Sequence, residues 1–220
     1  IRAVIGGMTT QPRHPYPVPA GPVDREIVIN KSRFIAWLRP AASRDQALAV
    51  LASAQSEYPA ATHHCYAYLI GPPASAHAAM SDDGEPSGTA GKPILGVISH
   101  KGMSDVIVVV TRYFGGIKLG AGGLVRAYAA AAEAVLSAAE VTAQVPVSTM
   151  TLFLDFAQEQ PMRLWCDRNG ATIDRIEYGE QVVAELIVPD EALGALTSFC
   201  AANRIDASCG APDSLGSGLC

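Results

Sequence analysis

Four cations, Lys92, Arg112, Lys118 and Arg126, fall within a glycine-rich segment, SDDGEPSGTAGKPILGVISHKGMSDVIVVVTRYFGGIKLGAGGLVRAY, residues 81–128. Glycine lets a backbone approach a ligand closely, and a neighbouring cation supplies charge for an anion. The run Gly120-Ala121-Gly122-Gly123 leads into an alanine-rich helix expected over 124–139. A helix start leaves its first N–H groups unpaired, yet no Ser, Thr, Asp or Asn lies between Gly115 and Arg126 to cap them. Arg126, in the first turn of that expected helix, opposes the helix dipole. Uncapped donors, close-approach glycines and an arginine together describe an anion site. It would draw on Gly115, Gly116, Gly120, Gly122 and Gly123, with Lys92, Arg112, Lys118 and Arg126 as its cations. The plainer alternative is a tight connection whose donors are met by water and whose glycines serve packing.

Secondary candidates are His63, Asp83, Glu85 and Tyr113. Asp82, Asp83 and Glu85 form an acidic turn that admits Mg²⁺ beside a bound phosphate, although such turns are more often simply solvated. No other cofactor and no resident metal is expected. His63 and His64 are adjacent on an expected strand over 62–70, so they point to opposite faces and do not share an ion. Tyr113 and Phe114 close the central strand, where aromatic rings either stack on bases or fill a core. The loop lacks the Gly-Lys-Ser/Thr ending of a phosphate-cradling P-loop and the spacing of a dinucleotide fingerprint, and Ser87 lacks a nucleophile elbow. No base–nucleophile pair is assembled, so catalytic residues are none.

The elements that must position these groups follow from periodicity and punctuation. Strands are expected over 26–30 and 34–38 around a turn at Lys31-Ser32-Arg33, and a helix over 43–58 capped by Ser43. A short helix over 93–99 precedes a strand over 105–114, whose five consecutive β-formers at 106–110 mark burial on both faces. Beyond Val145-Pro146 the order is strand, helix, strand, strand, helix and a short strand over 205–209, a ferredoxin-like pattern. Five prolines between residues 12 and 22 suggest a flexible arm over 1–22, and a Gly/Ser-rich tail covers 210–220. The domains are thus 23–142 and 146–209.

At 220 residues and 49% hydrophobic content the chain has enough apolar side chains for a core in each domain. No apolar run reaches the roughly 20 residues of a membrane helix, and the opening IRAVIGG lacks the apolar core of a secretory signal. Five cysteines with no Cys-x-x-Cys pair fit a reducing, cytoplasmic setting. Net charge is −5, unevenly spread: residues 143–220 carry four Arg against eleven Asp or Glu. Residues 86–126 carry five Lys or Arg against Asp105 alone, a local basic patch suited to a phosphate chain.

DDGEPSGTAGKP together with VVVTRYFGGIKLGAGGLVRAY closely resembles the signature of the IMPACT/YigZ family, with THHCYAY at 62–68 and KSRFIA at 31–36 as supporting segments. The resemblance implies an α+β fold. Its N-terminal domain would be like domain 2 of ribosomal protein S5, and its C-terminal ferredoxin-like domain like domain V of elongation factor G. Both relatives work in translation, so the resemblance implies a translation-linked regulator whose partners are RNA or the ribosome, or proteins of that machinery, and no membrane. The same group of folds contains small-molecule kinases, which keeps a phosphate- or nucleotide-handling enzyme as an alternative, although kinase loops carry serines where this chain has Ala121, Gly122 and Gly123. A protein-interaction module working through the acidic second domain is the other alternative.

Overall fold

The computed structural model describes residues 14–209. Residues 1–13 of the expected arm and the whole tail over 210–220 lie outside the described residues. In chain order the elements are β1 (Tyr16–Pro19), β2 (Val23–Ile29), β3 (Ser32–Pro40), α1 (Arg44–Glu57), β4 (His63–Ile70), β5 (His77–Ser81), α2 (Gly91–His100), β6 (Val106–Tyr113), α3 (Gly120–Leu136) and β7 (Val141–Gln144). They are followed by β8 (Val147–Leu154), α4 (Glu159–Asn169), β9 (Thr172–Tyr178), β10 (Val182–Pro189), α5 (Leu193–Asn203) and β11 (Asp206–Cys209). The chain divides into two units, one over Tyr16–Gln144 and one that takes up the chain from Val145.

The first unit is built on an antiparallel sheet of order β2-β3-β6-β4-β5. β6 is its central strand and alternates between two cores, as a strand covered on both sides must. Val106, Val108 and Val110 pack with residues of α2 and α3, while Ile107 and Val109 pack with residues of α1. Arg112 continues the even-numbered set and so faces the layer of α2 and α3. Ser43 caps α1 by accepting the N–H of Gln46.

The direction of the two helices on that face decides what meets what. Lys101, just past the end of α2, has its Nζ 2.6 Å from Glu133 and 3.0 Å from Ser137, near the end of α3. The C-termini of α2 and α3 therefore lie together, and the start of the shorter α2 lies toward Tyr128 in the N-terminal half of α3, linked to it through Asp82 and Cys65. That N-terminal end of the layer is also where β6 ends, β4 begins and the β2–β3 turn lies.

Two expectations are corrected here. The arm over 1–22 is not wholly irregular: Tyr16–Pro19 forms β1 and pairs with β7 as a two-stranded ribbon. Its prolines are tolerated because, among the described residues, β1 pairs with β7 alone and so lies at an edge. Second, α3 begins at Gly120, four residues before the expected start at 124, and ends at Leu136, three before the expected end. Gly120 takes φ +69° and so turns the chain into the helix. Arg126 consequently sits in the second turn, not the first.

The second unit is a four-stranded antiparallel sheet of order β11-β8-β10-β9. With α4 and α5 between the strands this is the βαββαβ ferredoxin-like arrangement, packed around Leu152, Leu154, Leu186, Met162 and Leu196. Gly170 ends α4 in the left-handed conformation at φ +67°, which glycine adopts without strain.

Candidate functional site

A buried polar cluster lies at the N-terminal end of the α2–α3 layer. Arg112 and Glu85 have side chains 6% and 4% exposed, and Arg112 Nη1 donates to Glu85 Oε1 at 2.5 Å. The Tyr128 hydroxyl of α3 donates to the same Glu85 oxygen at 2.8 Å. Arg112 Nη2 reaches Ser32 Oγ at 3.3 Å, and that hydroxyl accepts the N–H of Gly115 at 3.1 Å. Cys65 Sγ lies 3.3 Å from the Tyr128 hydroxyl and 3.0 Å from the carbonyl oxygen of Asp82. Burial pushes the Cys65 thiol up to about 12 and raises the Tyr128 phenol as well, so both stay protonated as donors. Arg112 Nε is buried and has no hydrogen-bond partner among the described residues.

His63 joins the cluster at its edge because it is the register partner of Arg112 across β4 and β6. Its Nδ1 lies 2.6 Å from the Asp83 carbonyl oxygen, which can only accept, so Nδ1 carries the proton. Its Nε2 stands 4.0 Å from Glu85 Oε2. His64 points to the other face and meets Thr111 Oγ1 at 3.0 Å.

Asp82 organises the glycine-containing loop over 84–91. Its carboxylate accepts the N–H groups of Gly88, Ala90 and Gly91 at 2.7, 2.9 and 2.8 Å. Burial would raise its pKa, but these three donors hold it below the usual carboxylate value. Asp82 thereby caps α2 from eight residues upstream, because Ala90 has no side chain able to do so. Asp83 Oδ2 accepts the His64 N–H at 2.5 Å. These commitments leave the acidic turn a poor cation holder. Among the described residues no three His, Cys, Asp or Glu side chains are grouped to hold a metal ion.

The loop over 115–123 is arranged differently. Leu119 precedes α3 and offers no side-chain cap, and Gly120, Ala121 and Gly122 are exposed. A Cβ built on Gly122 would lie 3.6 Å from Arg126 Nη1, so the guanidinium folds back over the first turn of α3. Lys118, Gly116, Arg126 and Lys92 are exposed at this same end, whereas Gly123 is half-buried beneath Leu119. Gly115 is there for close approach: a Cβ would stand 2.0 Å from the Lys31 carbonyl carbon.

The sequence-based site is thus divided. Arg112 is corrected from an anion-binding cation to a buried structural one, since Glu85 neutralises it and it has almost no access to solvent. Tyr113 is corrected too. It follows Arg112 in β6, so it points to the opposite face, where Arg33 covers its ring at 5.4 Å from the centroid. Tyr128, Ser32, Cys65 and the capping role of Asp82 were missed. Tyr128 is the one aromatic in an alanine-rich helix, and its hydroxyl needed a buried partner. Asp82 could have been found from the absence of any local cap before Gly91.

The architecture defines an α+β protein with an S5-domain-2-like unit followed by a ferredoxin-like unit. Residues 30–136 match the family profile of the Impact N-terminal domain, and residues 152–200 match a domain of unknown function, DUF1949. An IMPACT family member of Haemophilus influenzae is 40% identical over 174 residues, spanning 79% of this chain and 84% of that protein. IMPACT family member YigZ of Escherichia coli is 41% identical over 173 residues, spanning 78% and 85%. A crystal structure described as that of a hypothetical protein superposes with TM-score 0.70 at 31% identity, covering 91% of this chain and 99% of that one. The chain belongs to the IMPACT family.

Proposed function

We propose that the chain is a translation-linked regulatory protein of the cytoplasm that binds RNA phosphates, free or in the ribosome, through the start of α3. The observation that carries this reading is the uncapped, glycine-built N-terminus of α3, with Lys118 and Arg126 exposed beside it. Its free N–H groups and dipole favour an anion, and the cations add charge. The likeness of both units to translation-machinery domains supports RNA as the source of that anion, an argument from analogy of fold. Lys92, at the exposed start of α2, extends the basic end.

A phosphoryl-transfer enzyme using Asp82, Asp83 or Glu85 is the weaker reading. Asp82 already accepts three N–H donors, and Glu85 accepts from both Arg112 and Tyr128.

The test is anisotropy of labelled single-stranded and structured RNA across a salt series. Binding should weaken with salt, with a log–log slope of about −0.7 per phosphate contact on a single strand. Lys118→Ala and Arg126→Ala should weaken binding and flatten the slope. Gly122→Asp is the sharper variant: its carboxylate occupies the anion position and pairs with Arg126, so RNA binding is lost while thermal stability holds or rises. Absence of binding by the wild type, or equal binding by all three variants, overturns the proposal.

A further inference from the structure

We propose that Phe114 is a stacking platform for an unpaired nucleobase, so that the ligand class is single-stranded rather than duplex RNA. This rests on the phosphate-binding reading above and deepens it. Phe114 is 48% exposed although it directly follows the buried central strand. One side of the residue is backed by the Arg112 guanidinium, whose Cζ is 5.6 Å from the Phe114 ring centroid and 5.4 Å from that of the buried Phe34. Phe34 in turn meets Tyr128 edge-on at 5.3 Å.

The mounting is stiff. The Phe114 N–H donates to Thr62 Oγ1 at 3.2 Å, and the next residue is fixed by the Gly115 N–H to Ser32 Oγ at 3.1 Å. Arg112 cannot move without breaking its bond to Glu85. A pre-positioned ring binds at low entropic cost. The Arg112 guanidinium covers one side of the ring, so a base stacks on the exposed side.

Charge decides between a nucleobase and an apolar protein partner. Residues 106–126 contain no Asp or Glu, and Lys118 and Arg126 are exposed. A phosphate chain held by those cations carries bases with it, and every base offers a π face.

Anisotropy with a labelled short oligoadenylate and an abasic phosphate chain of the same length tests this. The wild type should bind oligoadenylate about ten-fold more tightly than the abasic chain. Phe114→Ala should remove that difference and leave abasic binding unchanged, while Phe114→Trp should keep it and show fluorescence quenching by oligoadenylate above the wild-type signal. Equal wild-type binding of the two chains overturns the platform and leaves the phosphate site standing. Binding of neither chain overturns both. If Phe114→Ala binds oligoadenylate as the wild type does, the platform is wrong and the exposed ring belongs to a protein contact.

Discussion

Arg112 and Glu85 are 27 residues apart in sequence and 2.5 Å apart in space, sealed together under α3 by Tyr128. Removing one partner of such a pair leaves a buried charge uncompensated. Glu85→Gln and Arg112→Met should each cost about 3–5 kcal/mol, and the double variant should cost less than their sum. Urea unfolding of the four proteins measures this cycle. Additive losses would mean that the two side chains do not act as a pair.

Asp82→Ala should cost about 1–2 kcal/mol, as loss of a helix cap does. Because its folded pKa lies below the ordinary value of 3.8, its contribution is present above that value and disappears as pH falls through the folded pKa. Unfolding midpoints measured down to acid pH should therefore converge for wild type and variant. A gap that does not narrow at all on acidification assigns the loss to packing alone.

His64 provides a second pH dependence in a different window. Burial lowers its pKa from 6.5, with Asp83 opposing the shift. The neutral form is the folded one, so stability is full above 6.5 and falls as pH drops below it. His64→Gln, which can still hydrogen-bond to Thr111, should flatten the urea midpoint between about pH 7 and 5. A midpoint that is flat in the wild type contradicts the assignment.

Two glycines should respond unequally to alanine. At Gly115 the new Cβ would collide with the Lys31 carbonyl at 2.0 Å, costing about 3 kcal/mol or more. At Gly120 there is open space but φ is +69°, so the cost is about 1–2 kcal/mol. Thermal unfolding ranks the two, and equal losses would refute the steric account of Gly115.

The second unit was legible in the order of all its elements, from strand to final short strand. The first was legible in its central strand and in α1. It was less so at α3, because a helix start built from glycines carries no local cap to mark it. β1, β5 and β7 were not identified. Their residues have no strong strand composition and pair only because a partner strand lies alongside.

The order of the main elements, the family and the basic glycine-rich segment were determined by residue type and spacing, which are local properties. Whether a cation faces solvent or a carboxylate is decided by strand parity and helix direction across distant segments. Arg112, Lys118 and Arg126 look alike in sequence. Only packing shows that Arg112 is spent on Glu85, while Lys118 and Arg126 are exposed to solvent.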